Sequence, residues 1–121
     1  MVSANIFSEK EVKYLKSQRL ARISTVSPDD LQPDVSPVGF DFDGQYFYVS
    51  GKNLLSTRKY KNVLKNNRVG IVIDDLVSVK PWTPRAIRVY GTADIVKRDN
   101  GYVGAATYIR IRPERKWTWG I

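Results

Sequence analysis

The chain contains neither cysteine nor histidine. It therefore cannot form disulfide bonds, and Ser–His–Asp or Cys–His catalytic systems are excluded. Zinc sites and most late transition-metal sites are excluded with them. No apolar run approaches the roughly 18 residues that a bilayer-spanning helix needs, and the N-terminus lacks the pattern of a signal peptide. These absences predict a cytoplasmic protein with no bound metal and no membrane association.

Carboxylates are the main acid–base groups that remain. Asp29–Asp30 and Asp74–Asp75 are adjacent pairs in predicted loops, and adjacent side chains of an extended chain point apart. Neither pair therefore predicts a catalytic dyad. Tyr48 and Tyr90 are possible proton donors, but such tyrosines are more often core residues. The sequence thus names no catalytic residue, and any chemistry must come from a bound cofactor.

The length and charge of the chain narrow the choice further. Its 121 residues are enough for one domain, 1–121, with one hydrophobic core. Twenty Lys and Arg against twelve Asp and Glu give a net charge of +8. Such a balance favours an anionic partner, which is nucleic acid, anionic lipid or a phosphorylated small molecule.

The first predicted elements are a helix and a strand. The helix begins after Ser8 and ends near Gln18, because Ser8 and Glu11 have the spacing of a capping box. Apolar and β-branched residues then alternate over Leu20–Val26, which predicts a strand. Ser27–Asp30 is a turn, and a second strand starts at residue 31 or 32.

Asp43-Gly44 is the strongest turn signal of the chain, and it predicts a hairpin between Val38–Phe42 and Gln45–Ser50. With the strand before it, this hairpin predicts a three-stranded antiparallel meander. The further predicted elements are a helix over Asn53–Asn67 with Tyr60, Val63 and Leu64 on one face, and strands over Val69–Asp74, Arg85–Val96 and Tyr108–Arg112. Six or seven strands and two helices predict a mainly β fold, a small antiparallel split or closed barrel.

The positive charge is concentrated in one segment. Between Gly51 and Ile73 there is no acidic residue, and Ser56–Lys59 lies near the start of the second predicted helix. Hydroxyls, Arg and Lys at a helix N-terminus suit a phosphate group. The alternative is a solvated helix face, which fits Lys61 and Lys65 with their i,i+4 spacing. The six cations of the segment are Lys52, Arg58, Lys59, Lys61, Lys65 and Arg68.

Three runs around this segment, Tyr46–Ser50, Ser56–Lys59 and Asn66–Val69, have a recognisable order and spacing. They resemble the pyridoxamine 5′-phosphate oxidase-like split-barrel family, and the resemblance covers nearly the whole chain. It is closest to the short branch of that family whose members are classed as deazaflavin-dependent enzymes. The residues that carry this closer similarity are Gln18–Leu20, Ser36–Phe40, Val77–Arg85 and Trp119-Gly120.

The resemblance implies a cofactor, either FMN or the deazaflavin coenzyme F420. By it, Thr57, Arg58 and Lys59 hold the cofactor phosphate. It also implies a homodimer with two cofactor sites at the interface and a small-molecule substrate. Val49 and Ser50 would line the cofactor, and Ser36, Pro37, Val38 and Gly39 would run beside its ring system. Trp82 and Arg85 are candidates for contacts from the partner subunit; core packing of Trp82 and a surface ion pair of Arg85 are the alternatives.

Three departures from the oxidase pattern limit what the resemblance implies. Ala86 stands where the oxidase has a flavin-contacting Gln, Gly39 stands where it has a basic residue, and its substrate-binding His is missing. These differences argue against oxidation of pyridoxamine phosphate and weaken the case for FMN relative to the deazaflavin. The predicted function is an oxidoreductase that transfers a hydride between the bound cofactor and an unidentified small molecule.

Two other functions remain as alternatives. One is a cofactor-binding or carrier protein without turnover. The other is a nucleic-acid-binding barrel in which Trp117 or Trp119 stacks on bases. Against this second alternative, Glu114 interrupts the C-terminal basic group, and the remaining charge clusters at one helix start.

Overall fold

The computed structural model describes residues 5–121, which form one seven-stranded antiparallel sheet, two α-helices and a 3₁₀ turn. The sheet curls into a half-barrel, so the predicted mainly β split barrel is confirmed. Neither helix has the length and apolar character needed to cross a membrane. The elements are α1 (Glu9–Ser17), β1 (Leu20–Val26), β2 (Pro33–Gly39), β3 (Asp41–Phe42), β4 (Phe47–Val49), the 3₁₀ turn (Leu54–Ser56), α2 (Arg58–Lys65), β5 (Arg68–Ser78), β6 (Thr83–Arg98) and β7 (Ala106–Trp119).

Helix α1 begins with the predicted capping box. The Glu11 amide donates to Ser8 Oγ at 3.2 Å, and the Ser8 amide donates to Glu11 Oε1 at 2.8 Å. The buried Glu11 carboxylate also accepts hydrogen bonds from Lys116 and Thr118 on β7. Glu11 therefore both completes the capping box and joins α1 to the sheet.

The order of the strands corrects the predicted meander. The sheet runs β2-β1-β5-β6-β7-β4-β3, so β2 and the β3–β4 hairpin lie at opposite edges. The hairpin itself is confirmed, with Phe42 opposite Phe47. Only Phe40 separates the end of β2 from the start of β3. Because one residue cannot span a flat seven-stranded sheet, the two edges must meet at Phe40, and the sheet has to curl.

Phenylalanine rings fill the closed corner of the half-barrel. Phe47 is fully buried, and its ring centroid lies 4.7 Å from that of Phe42 and 6.0 Å from those of Phe7 and Phe40. These rings bring together the start of α1, β3 and β4. The corner is thus held by apolar packing, and the two sheet edges are free to separate only further from Phe40.

The three central strands are longer than the sequence predicts. Strand β7 continues past Pro113 to Trp119, because a bulge with the extra residue Glu114 lies opposite the Tyr90–Gly91 step of β6. Proline lacks the N–H that the ladder needs, and a bulge absorbs that interruption. Strand β5 likewise extends to Ser78, so Asp74 and Asp75 lie in a strand and not in the predicted loop.

Helix α2 is shorter than predicted, because the residues before it form the separate 3₁₀ turn. Val63 is buried, but Leu64 is 59 % exposed, so the predicted apolar face is partly wrong. Its place is taken by Asn62, which is buried and donates from Nδ2 to Thr25 Oγ1 on β1 at 3.0 Å. A polar contact between two side chains therefore helps to seat this helix on the sheet.

Candidate cofactor cleft

The segment 50–62 is held near both ends of the edge strand β2. At one end, Tyr102 contacts both Gly39 of β2 and Ser50. At the other end, Asn62 binds Thr25, which lies opposite Asp34 at the start of β2. Strand β2 has a neighbour on one side only. The open edge of β2 and the segment 50–62 are therefore the two sides of the candidate cofactor cleft, which contains a cavity at its α2 end.

The predicted residues of β2 divide between the two faces of the strand. Ser36 pairs with the buried Ile23, and Val38 pairs with the buried Ala21, so both side chains point inward. Pro37 and Gly39 pair with Arg22 and Leu20 on the outer face. The Ser36 Oγ is buried without a hydrogen-bond partner among residues 5–121. An unsatisfied buried hydroxyl costs roughly 1–3 kcal/mol, so this atom is suited to a polar group of a ligand.

Val49 and Ser50 lie deeper than the resemblance implies. Val49 is fully buried in the core. Ser50 donates from Oγ to Thr107 O at 2.6 Å and from its amide to Tyr102 Oη at 2.7 Å. The Tyr102 hydroxyl in turn donates to Ser50 O. The side chain and both backbone groups of Ser50 are therefore already paired within the chain.

The start of α2 offers free donors to an anion. Thr57 is the N-cap: the Tyr60 amide donates to its Oγ1 at 3.3 Å, and this hydroxyl donates to Leu54 O at 2.6 Å. Its hydroxyl is thus committed to the helix cap. The amides of Arg58 and Lys59 come before the first intrahelical bond and have no partner in the described chain. They add to the positive end of the helix dipole.

A cavity of about 420 Å³ lies between the β1–β2 turn and α2. Arg58, Lys61 and Lys65 line it from the helix, whereas Lys59 does not. The side chains of these four cations make no ion pair or hydrogen bond within residues 5–121. Lys61 and Lys65 are exposed, as the alternative of a solvated helix face expects, and they line the same cavity as Arg58. The other lining residues are Ser27, Pro28, Asp29, Ser56 and Asn62.

Trp82 and Arg85 lie away from this cavity, on the hairpin between β5 and β6. Trp82 is 70 % exposed, so the alternative of core packing is wrong. Arg85 forms a bidentate ion pair with Asp75, at 3.0 and 2.7 Å, and its guanidinium lies 4.8 Å from the Tyr14 ring centroid. The alternative of an ion pair is therefore present for Arg85, while Trp82 is free to meet a partner.

The Arg85–Asp75 ion pair shifts the pKa values of the two residues themselves and of Tyr14 beside them. Hydrogen bonds from Arg85 hold the pKa of Asp75 below its ordinary value, and the paired carboxylate raises the pKa of Arg85. Burial raises the pKa of Tyr14, and its hydrogen bond to Asp75, at 2.8 Å, raises it further. All three groups therefore keep their usual charge states at neutral pH and are unsuited to proton transfer.

The other acid–base candidates are also occupied. Asp74 binds Arg22 at 2.9 Å, on the opposite side of β5 from Asp75, which agrees with the expectation that the pair is no dyad. Burial, followed by the charge of Asp43 and a hydrogen bond to it, raises the pKa of Tyr48. Tyr90 packs edge-on against Trp117 at 4.8 Å. Neither tyrosine borders the cavity at α2.

Sequence reasoning missed Tyr102 and Asn62, the two residues that close the cleft at its ends. Tyr102 follows Asn100-Gly101, a dipeptide typical of turns, and this position suggests an exposed loop. Asn62 is a polar residue within a basic helix, and no local pattern shows that it is buried. Both contacts join residues far apart along the chain, so no short motif could have revealed them.

Comparisons with known proteins agree with this fold. The family described as pyridoxamine 5′-phosphate oxidase matches residues 7–118. A curated relative from Streptomyces rimosus, a 5a,11a-dehydrotetracycline/5a,11a-dehydrooxytetracycline reductase, is 36 % identical over 120 residues, which cover 95 % of this chain and 84 % of the relative.

Two solved structures show the same fold at lower identity. A conserved hypothetical protein from Mycobacterium tuberculosis superposes with a TM-score of 0.75 at 21 % identity, covering 95 % of this chain and 86 % of its own. An F420 reductase superposes with a TM-score of 0.72 at 22 % identity, covering 92 % and 98 %. Since the family matches almost the whole chain and a reductase shares more than a third of its residues, the chain belongs to the pyridoxamine 5′-phosphate oxidase family and is an oxidoreductase.

Proposed function

We propose that the protein is a reductase that binds a phosphate-bearing, flavin-type cofactor, of which the deazaflavin F420 fits better than FMN. The observation that carries this proposal is the start of α2, where the amides of Arg58 and Lys59 have no partner within residues 5–121 and the side chains of Arg58, Lys61 and Lys65 line a cavity of about 420 Å³. Water solvates these exposed cations in the free protein, and a phosphate that binds there would meet both their charge and the free amides at the positive end of the helix dipole.

The spread of the cations favours the deazaflavin. Arg58, Lys61 and Lys65 line one cavity along the eight residues of α2, and the seven steps from Arg58 to Lys65 rise about 10 Å at 1.5 Å per residue. FMN ends in a single phosphate, which one or two of these side chains neutralise. F420 carries further carboxylates beyond its phosphate, and an extended anion matches an extended row of cations. Asp29, across the cavity, is the one carboxylate of its lining.

The remaining features of the cleft suit the ring system of such a cofactor. Ser36 supplies a buried hydroxyl that has no partner among the described residues, and the open edge of β2 supplies backbone donors and acceptors. The cofactor supplies hydride chemistry when bound, while the protein holds it in place and excludes water. Ala86 is buried and Gly39 has no side chain, so neither can perform the oxidase role at its position.

Titration of the purified protein with FMN and F420 tests the proposal directly. We expect F420 to bind more tightly, and we expect Lys61→Ala and Lys65→Ala to weaken F420 while leaving FMN unchanged. Lys52→Ala is the matched control, because Lys52 precedes the helix and does not line the cavity. Absence of binding by both cofactors would contradict the proposal.

Turnover separates the reductase from a carrier. Reduced F420 is mixed with panels of small unsaturated molecules, and its oxidation is followed by absorbance. The reductase relative favours turnover. Tight binding with no oxidation of the cofactor by any substrate would instead favour a carrier protein.

We further propose that the protein is a homodimer in which Trp82 reaches the partner's cofactor. Val77, Val79 and Trp82 are 55–70 % exposed and form an apolar tip on the β5–β6 hairpin. Large exposed apolar side chains on a small domain mark an interaction surface. Light scattering after size exclusion should give twice the chain mass for the wild type and a lower mass for Trp82→Ser. A monomeric wild type would contradict this part of the proposal.

A further inference from the structure

Tyr102 stands where the two edges of the sheet meet. It belongs to the loop between β6 and β7, and its ring lies on Gly39, the last residue of β2. Its hydroxyl accepts from the Ser50 amide at 2.7 Å and donates to Ser50 O. One side chain thus joins the edge strand β2 to the first residue of the segment that leads to Arg58.

The loop holds this tyrosine firmly. The Tyr102 amide donates to Asp41 Oδ2 at 2.8 Å, and Arg98 binds the same oxygen at 3.1 Å. The fully buried Tyr108 accepts from the Val103 amide and donates to Gly104 O. Burial raises the pKa of Tyr102, so its phenol keeps its proton at neutral pH. The ring position is therefore set by the loop and does not depend on Ser50 alone.

At position 39, glycine is the only residue type that leaves room for the Tyr102 ring. A Cβ at position 39 would lie 2.8 Å from Cε2 of Tyr102, closer than carbon atoms can approach. The backbone of Gly39 does not itself require glycine, since its φ lies outside the left-handed region. The departure from the family's basic residue at position 39 and the presence of Tyr102 are therefore two parts of one arrangement.

We propose that Tyr102 is a positioning residue of the cofactor cleft, which sets the distance between β2 and the phosphate-binding segment by packing on Gly39 and binding Ser50. This inference rests on the proposed function. Gly39 and Ser50 lie on opposite sides of the cleft, and Asn62 performs the corresponding task at the other end. If the cleft widened at Tyr102, the ring-binding strand and the phosphate anchor would no longer fit one ligand.

Four variants test the proposal. Tyr102→Phe keeps the ring and removes the bonds to Ser50, while Gly39→Ala keeps the Tyr102 hydroxyl and displaces its ring. The other two are Tyr102→Ala and its combination with Gly39→Ala, which complete a double-mutant cycle. Tyr48→Phe is the matched control, because it removes a hydroxyl from β4 that binds only the exposed Asp43. Each protein is titrated with F420 and FMN, the visible circular dichroism of the bound cofactor is recorded, and the unfolding midpoint of the apoprotein is measured.

We expect Tyr102→Phe to weaken cofactor binding about three- to tenfold and to change the circular dichroism of the bound cofactor. Gly39→Ala should weaken cofactor binding at least as much as Tyr102→Phe does. In a protein that already carries Tyr102→Ala, Gly39→Ala should change the cofactor affinity less than about twofold. The apoprotein of Tyr102→Phe should also unfold earlier than that of Tyr48→Phe, because the buried Ser50 amide loses its partner. Affinity and circular dichroism are therefore measured well below both unfolding midpoints, where a loss of stability alone does not change them.

The opposite results would overturn the proposal. Wild-type affinity and circular dichroism in Tyr102→Phe would show that the phenol does not position the cofactor. Additive effects of the two substitutions would show that Gly39 and Tyr102 act separately. If the wild type binds neither cofactor, the proposed function fails together with this inference, whereas normal wild-type binding with an unaffected Tyr102→Phe removes this inference alone.

Discussion

The central sheet and the cleft along β2 use charged side chains in different ways. All five ion pairs of the described residues lie on sheet strands or join α1 to the sheet; Arg110–Asp94 and Arg85–Asp75, both at 2.7 Å, are examples. No cation of the segment 52–68 takes part in any of them. The cleft also contains the unpartnered Ser36 hydroxyl.

The difference indicates where the fold is complete and where it is not. On the sheet, the charged side chains are paired with one another and little is left for a ligand; the buried Glu11 carboxylate contributes most to folding, and the exposed pairs contribute at most about 1 kcal/mol each. Along the cleft, the cations of α2 and the Ser36 hydroxyl make no ion pair or hydrogen bond among the described residues. They therefore contribute little to folding and can bind an anion and a polar group of a ligand. We therefore expect substitutions on the sheet to change stability, and substitutions along the cleft to change binding.

The largest effect is expected at the phosphate anchor. Arg58→Ala and Lys59→Ala should each weaken cofactor binding about ten- to a hundredfold, because a charged contact contributes roughly 1.5–3 kcal/mol. The unfolding midpoint of the apoprotein should change little, since neither side chain forms an ion pair among the described residues and Arg58 interacts electrostatically with the exposed Asp30 alone. Calorimetric titration and urea unfolding of the same samples measure both quantities. A loss of stability without a loss of cofactor affinity would show that these cations serve the fold, as the ion pairs of the sheet do, and not the ligand.

Glu11 provides the corresponding test on the sheet side. Burial alone would raise its pKa, but hydrogen bonds from Lys116, Thr118 and the Ser8 amide prevail and lower it from 4.5 to about 2. A lowered carboxyl pKa stabilises the fold fully above pH 4.5, and this stabilisation is lost as the pH falls towards 2. Glu11→Gln should therefore cost about 2 kcal/mol at pH 7, because solvent screens the 30 % exposed Lys116, and about nothing near pH 2.

Urea unfolding of the wild type and Glu11→Gln across pH 2–7 measures this difference. Cofactor affinity at neutral pH should not change, since Glu11 lies outside the cavity at α2. A stability difference that is independent of pH would mean that the Glu11 charge does not contribute.

Ser36→Ala should lower the cofactor affinity without lowering the stability of the apoprotein. Removing a buried hydroxyl that has no partner relieves its desolvation cost, so the free energy of unfolding should stay equal or rise. Cofactor affinity should fall about three- to tenfold if the ligand supplies the missing partner. Ser17→Ala, at a hydroxyl that already donates to Tyr14 O at 2.6 Å, is the control. A parallel loss of both quantities would indicate an ordinary structural serine.

The smallest effect is expected for nucleic acid. Binding of RNA or DNA through several phosphates weakens with salt at a log–log slope of about −0.9 for each duplex contact. We expect such binding to be weak and to vanish at physiological salt, while cofactor binding persists because apolar burial is not screened. Filter binding at two salt concentrations measures this. Tight RNA binding without cofactor binding would favour the alternative of a nucleic-acid-binding barrel.

Local patterns in the sequence were sufficient for most of the elements. The capping box of Ser8 and Glu11, the alternation over Leu20–Val26 and the Asp43-Gly44 turn each depend on neighbouring residues, and all three are present in the structure. The lengths of β5 and β7 and the burial of Asn62 were not predictable in this way. They depend on partners that lie on other strands.

The sequence by itself determined the mainly β composition, the capped first helix and an acid-free basic segment at the start of the second helix. Only the tertiary structure decided that β2 and β3 lie at opposite edges, that Tyr102 rests on Gly39, and that Lys61 and Lys65 share a cavity with Arg58. The physical reason is the distance along the chain between the residues that interact. Helix caps and strand alternation arise from residues within a few positions, whereas the cleft arises from the curl of a seven-stranded sheet, which brings Ser50 to a tyrosine 52 residues further along the chain.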